Sequence, residues 1–262
     1  MSWPTYRNRY LPAMTRRAIE AIPNKADALV ILPTGAIEQH GPQLPVGVDA
    51  LLGQIYLDYA LPKLPDEAPV YVLPPIQAAK SNEHTGFPGT LILNRESLRR
   101  LIFSAGQQIA EWGFGRIAIL NTHGGNISVV KSALRELNLE FGLEVQVLSF
   151  PYEIETCARE RAYGIHANEV ESSLMYAATP DMVDPSVATC CWTGSLDDPK
   201  TLQSEFAPAT YAWKTLDISR SGTVGDATVA TVEKGERWIA RAADALSARL
   251  VELVKKSDPE LL

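Results

Sequence analysis

The chain is poor in histidine, in cysteine and in basic charge. Its 262 residues hold four histidines and three cysteines, and 31 acids against 24 bases leave a net charge of −7. A chain of that sign lacks the basic footprint that a phosphate backbone requires, which excludes a nucleic-acid partner. No apolar run approaches the ~18–20 residues of a membrane span, and Met1-Ser2-Trp3-Pro4 opens no secretory leader pattern. The expectation is a cytoplasmic protein with no membrane partner. Cys157, Cys190 and Cys191 are an odd count without framework spacing. They read as reduced thiols, and the adjacent pair lacks the Cys-x-x-Cys partner of a thiolate metal site. Two catalytic signatures are missing as well: a Gly-x-x-x-x-Gly-Lys-Ser/Thr phosphate loop and a Gly-x-Ser-x-Gly nucleophile elbow.

What remains has the composition of an ordinary globular protein, 46% hydrophobic and 21% charged. Short apolar runs alternate with longer amphipathic stretches, the pattern of a mostly parallel sheet covered by helices. Strands are predicted at Ala28 to Leu32, Val70 to Leu73, Arg116 to Leu120 and Val145 to Phe150. Helical periodicity runs over Ala50 to Ala60, Arg95 to Trp112, Ile127 to Phe141 and Val232 to Lys255, with Trp238, Ala242, Leu246 and Leu250 on one stripe. Gly113, Gly115 and Gly142 supply stop signals. No repeat or low-complexity segment interrupts this pattern, so one domain over residues 1–262 is expected. The weakest stretch is 186–220, rich in Thr, Asp, Pro and Ser. Its Trp192, Phe206, Tyr211 and Trp213 are candidates to shape a substrate pocket or an oligomer interface.

Each histidine stands among acids, glycines or amides, and imidazole with carboxylate is what borderline and hard divalent metals prefer. Glu38 and His40 follow the first predicted strand, at the edge where open α/β sheets bind ligands. Two apart on extended backbone, they point the same way. Asp49 has two readings: N-cap of the helix at Ala50, or a carboxylate bridging two ions. His123, in Asn121-Thr122-His123-Gly124-Gly125-Asn126, occupies the equivalent place after the third strand, and Asn126 can cap the next helix. His166 precedes a helix that carries Glu169 and Glu171. Glu169 reads as a solvated face. Glu171 precedes an apolar run and needs a partner, for which a metal serves. His84, in the shaped loop Asn82 to Thr90, can bind substrate, donate to a developing oxyanion or brace the loop. Gly222-Thr223-Val224-Gly225-Asp226 resembles part of a phosphate loop but lacks its third glycine and its strand.

Taken in order, these segments resemble the creatininase (creatinine amidohydrolase) family. The likeness spans Leu32 to Gly235, from Leu32-Pro33-Thr34-Gly35-Ala36-Ile37-Glu38-Gln39-His40-Gly41-Pro42 to Glu233-Lys234-Gly235. It implies a three-layer α/β/α sandwich, a homo-oligomer with a hexamer favoured, and a centre of two divalent ions, Zn or Mn with Fe also possible. Carried over by position, Glu38, His40, Asp49 and His123 are metal ligands, with Asp49 bridging, and His166 is the catalytic proton carrier. Creatinine-cleaving members place a glutamate where this chain has Gly125. The glycine version draws its acidic ligand from the position of Glu171. That departure, with no tryptophan pair near Phe150 to His166, turns the expectation away from creatinine itself.

The expected reaction is hydrolysis of a cyclic amide or formamide C–N bond in a small molecule by a metal-activated water. His166 and Glu171 are assigned to catalysis, and Glu83, His84, Gly124 and Gly125 to substrate binding. Three alternatives stay open: a cyclic ketone cleaved at a C–C bond on the same centre, a non-catalytic ligand-binding homologue, and a mononuclear metal oxidoreductase or lyase.

Overall fold

The computed structural model describes residues 4–192 and 213–255. After a short helix α1 (Arg16–Glu20), strand β1 (Leu29–Thr34) starts a parallel sheet completed by β2 (Val70–Val72), β3 (Arg116–Asn121) and β4 (Glu144–Val147). The order is β2-β1-β3-β4, with Leu29 opposite Val70 on one side and Arg116 on the other. β1 is buried along its whole length, so its side chains feed two cores by simple alternation. Leu29 and Ile31 face one layer, built on α2 (Val48–Ala60), α6 (Glu169–Ala178) and α8 (Val232–Lys255). Ala28, Val30 and Leu32 face the other, built on α3 (Arg95–Glu111) and α4 (Ile127–Phe141). The alternation predicts a mostly parallel sheet covered by helices, and the two helical layers make it the three-layer α/β/α sandwich that the resemblance implies.

The helices begin and end for local reasons. Asn94 caps α3 by accepting from Ser97 N at 2.8 Å, and Gly142 closes α4 in the left-handed region at φ 67°. α8 carries Trp238, Ala242, Leu246 and Leu250 fully buried on one stripe, against α2 and α6. β4 ends at Val147, three residues short of the expected Phe150. Leu148 N still bonds Ile119 O at 2.9 Å, after which the chain turns away. Among the described residues, the remaining α-helices and strands are α5 (Ala158–Tyr163), α7 (Thr215–Ile218) and a small antiparallel pair, β5 (Cys190–Cys191) with β6 (Gly225–Asp226), and short 3-10 turns join the elements. Among the described residues no helix is long and apolar enough to cross a membrane.

Candidate metal centre

The parallel sheet delivers Glu38 and His40 beyond the end of β1 and His123 beyond the end of β3, at one edge. Thr122 ties that edge to α2, its N–H donating to Thr34 O at 3.0 Å and its hydroxyl to Asp49 O at 2.6 Å. Asp49 is not the cap of α2. Gly47 holds that position and makes no side-chain bond, while Asp49 sits inside the first turn, buried, with its carboxylate turned to the histidines. Asn168 caps α6 by accepting from Val170 N and Glu171 N at 3.0 and 3.2 Å, which fixes Glu171 in the first turn. Asn126 stands at the start of α4 without capping it; its amide accepts from Lys80 N and donates to Gly35 O instead.

The hydrogen bonds set the tautomers. A carbonyl can only accept, so the ring nitrogen facing one carries the proton. His40 Nδ1 donates to Glu38 O at 3.0 Å, which turns Nε2 toward Asp49 Oδ1 at 3.5 Å and Glu171 Oε1 at 3.9 Å. His123 Nε2 donates to Lys80 O at 2.8 Å, leaving Nδ1 3.1 Å from Asp49 Oδ2 and 3.3 Å from Glu38 Oε1. One ring nitrogen anchored on a carbonyl and the other aimed at carboxylates is how ligating histidines are oriented. His166 follows suit, Nε2 donating to Gln39 O at 2.6 Å and Nδ1 lying 3.8 Å from Glu38 Oε1. Its ring lies against those of His40 and His84, with centroids 4.3 and 4.2 Å away.

Electrostatics distinguish these groups. Burial pushes the His40 imidazole down, but Asp49, then Glu171 and Glu38, hold it up at about 10. His123 is likewise raised well above its usual value by Asp49 and Glu38 against burial. His166 moves the other way: burial, then the charges of His40 and His84, keep it neutral. Burial raises the Glu171 carboxyl to about 7, with His40 opposing and Asp49 reinforcing. Glu38 resists burial because His123, His84 and His166 stabilise its charge, holding it well below the carboxylate range.

Glu38 Oε2, His40 Nε2 and Asp49 Oδ2 are buried atoms without a hydrogen-bond partner. Unpartnered polar atoms of this kind are costly, and a cation that displaces the His40 proton would satisfy all three. Glu38, His40 and Asp49 offer ligand atoms all within 4.8 Å of one another, as do His40, His166 and Glu171. The donor set therefore fits divalent ions of the Zn, Mn or Fe kind.

Gln39, which nothing in the motif spacing singles out, joins the histidines to the rest of the chain. Its Oε1 accepts from Gly41 N at 2.9 Å, which fixes the amide, and its Nε2 donates to His84 Nδ1 at 2.9 Å and Gly222 O at 3.2 Å. His84 Nδ1 also meets the buried Thr215 hydroxyl at 3.0 Å, so its Nε2–H faces Glu38 Oε1 at 3.2 Å. The Gly222 segment is no phosphate loop. Val224 pairs its backbone with His166 in both directions, and Gly222 lies too close to the Gln39 amide for any side chain. Glu169, expected in solvent, is buried and paired with Lys234 Nζ at 2.6 Å.

The substrate-binding candidates divide. Gly124 lines a cavity that opens between His123 and Glu171, whereas Gly125 is pressed against Glu83 Oε1, His123 Nε2 and Lys80 O. Glu83 Oε1 lies 3.4 Å from His123 Nε2, behind the ligand face of that ring. Of the aromatic candidates in 186–220, Trp192 stacks under Arg159 at 4.5 Å and Trp213 is half-buried, while Phe206 and Tyr211 lie outside the described residues.

Residues 12–250 match the family model described as creatininase, creatinine amidohydrolase. A mycofactocin precursor peptide peptidase of Mycolicibacterium smegmatis is 30% identical over 227 residues, 85% of this chain and 84% of that one. The creatinine amidohydrolase of Pseudomonas putida is 29% identical over 87% of this chain and 90% of its own. Among solved structures, a creatinine amidohydrolase (creatininase) superposes with a TM-score of 0.71 at 24% identity, covering 96% of this chain and 98% of that one. A creatininase described as the Mn form gives 0.70, also at 24% identity, over 96% of this chain and 99% of its own. With the match running through all five histidine- and acid-bearing segments, the chain belongs to the creatininase family.

Proposed function

We propose that the protein is a metal-dependent hydrolase of amide C–N bonds, with two divalent ions held by Glu38, His40, Asp49, His123 and Glu171. The observation that carries this reading is the trio of unpartnered buried atoms, Glu38 Oε2, His40 Nε2 and Asp49 Oδ2, converging from β1 and α2. When bound, such ions lower the pKa of a coordinated water toward neutrality and polarise a carbonyl. In hydrolysis the C–N bond breaks, hydroxide adds to the carbonyl carbon, and the departing nitrogen takes up a proton. His166 is suited to move that proton: Nε2–H is fixed on Gln39 O, Nδ1 is free to accept, and the ring is neutral. Glu171, held by Ala167 N at 2.5 Å, is raised to about 7 by burial in the metal-free protein and would be held ionised as a ligand once an ion binds, placing its carboxylate beside His166. His84 and Gln39 orient Glu38 and His166 respectively.

A 3-dehydro-scyllo-inosose hydrolase of Thermotoga maritima is 24% identical over 94% of this chain and 84% of its own, which keeps C–C hydrolysis of a cyclic ketone as the second reading. The non-catalytic reading is disfavoured by the intact donor set. The proposal takes the protein to be one domain acting as a homo-oligomer, a hexamer favoured, on a small molecule in the cytoplasm.

Elemental analysis of protein purified without chelators tests the centre. About two ions per chain are expected, lost in a His40→Ala, Asp49→Ala double variant, with amide hydrolysis lost in parallel. A wild type that holds no Zn or Mn even after both are supplied sinks the proposal.

A further inference from the structure

The cavity between His123 and Glu171 has a volume of about 360 Å³, within the range of small-molecule sites. Among the described residues only that end of it carries a carboxylate or an imidazole. The remaining wall is Leu52, Tyr56, Ile127, Phe150, Val170 and Leu174, drawn from α2, α4, α6 and the turn after β4. The polar side chains that reach the wall are already bonded to the protein. Asn121 Nδ2 donates to His123 O at 2.7 Å, Thr122 donates to Asp49 O at 2.6 Å, and the Tyr56 hydroxyl meets that of Tyr152 at 3.1 Å. Among the described residues no lysine or arginine lines it. Phe150 meets Tyr56 edge-on with centroids 5.5 Å apart and stacks on Tyr152 at 6.3 Å, so the aromatic wall is braced from behind.

A site that is ligand-rich at one end and apolar elsewhere sorts substrates by their substituent. A hydroxylated or charged group would lose its water here and find no free partner, whereas an apolar group loses only unfavourable hydration. We infer that this cavity is a hydrophobic subsite, and that the substrate is an amide bearing an uncharged branched aliphatic or aromatic group beside the bond that is cleaved. The inference rests on the amide-hydrolase reading and sets aside a polyol as substrate.

The probes are hydroxamates that share one metal-binding head and differ in tail: acetyl, 4-methylpentanoyl, phenylacetyl and succinyl. Binding to the Zn-loaded full chain is read by calorimetry. In parallel, 4-methylpentanamide is bound to metal-free protein and read by saturation-transfer NMR, which senses the cavity without the ions. The two apolar tails are expected to bind about 10- to 100-fold more tightly than acetyl, in the range that methylenes in an apolar pocket command, and succinyl no better than acetyl. Val170→Trp, which fills the cavity, collapses that ratio and removes the NMR signal. Ile127→Phe, at a half-buried position, serves as the second filling variant if Val170→Trp does not fold. Equal affinities for every tail, a preference for succinyl, or a ratio untouched by both variants overturns the subsite. If the metal reading alone is wrong, the hydroxamate head contributes nothing while the NMR signal and its loss in the filled variants persist.

Discussion

At the scale of single residues, Gly125 shows how tightly the ligand shell is built. A Cβ added there would collide with Glu83 Oε1, His123 Nε2 and Lys80 O together, two of them parts of the support behind His123. Neither a buried ligand ring nor a backbone carbonyl can yield cheaply. Gly125→Ala is therefore expected to weaken metal binding by about 10- to 100-fold, the usual effect of disturbing groups that orient a ligand. Competition with a chromogenic chelator measures it; unchanged affinity would show that the His123 support is unimportant. Glu83 already fills the space that a side chain at 125 would need, which accords with the proposal that Glu171 supplies the acidic ligand. Much of the site was legible one residue at a time. Glu38, His40 and His123 follow strand ends, and strand ends of a parallel sheet converge. Gln39 and Glu169 were not legible, because what satisfies them comes from far along the chain, Gly222 and Lys234. A polar residue's partner across such separations leaves no periodic trace.

At the scale of elements, hydrophobic patterning located the long helices and all four strands of the parallel sheet, β4 with its end set three residues too late, since burial on one face or both is written into spacing. Short elements escaped it. The backbone pairing of His166 with Val224 rests on two hydrogen bonds and no pattern. Asp49 keeps two readings in the sequence, cap and ion-bridging carboxylate, because an acid near a helix start fits both, and only the direction of the carboxylate separates them. The contact between α6 and α8 tests how strictly elements position the centre. Gly235 of α8 lies so close to Ser173 O of α6 that a Cβ would overlap the carbonyl. Backbone cannot rotate aside, so Gly235→Ala must push the helices apart. A loss of roughly 1–3 kcal/mol in urea unfolding is expected, as for other overpacked cores. Because Glu171 lies in the first turn of α6, metal affinity should fall as well. A stable variant with weakened metal binding, or no change in either, would break the link between that helix contact and the site.

At the scale of the whole molecule, the proposed ligands come from β1, α2, β3 and α6, and α8 packs on both helices, so an ion would join parts that the sequence holds far apart. Anything that binds only the folded chain stabilises it, by about 2.7 kcal/mol when present at a hundred times its dissociation constant. For a chain of this length that is a rise in Tm of about 5–10 °C. The sign of its pH dependence follows from His40, which faces Asp49, Glu171 and Glu38 and keeps its proton to about 10 in the metal-free protein. Metal-free stability from that proton is complete below the ordinary histidine value of ~6.5 and declines as the pH climbs through about 10. An ion needs the Nε2 lone pair and must expel the proton, so its affinity rises with pH over the same range, up to about tenfold per unit for one proton. Thermal scans between about pH 6.5 and 8.5, with Zn or with chelator, should therefore diverge: the chelated protein melts lower as pH rises while the gain from metal grows. Calorimetry in buffers of different ionisation enthalpy should count at least one proton released per chain. A gain that is flat with pH and releases no proton would mean that the ion does not use His40.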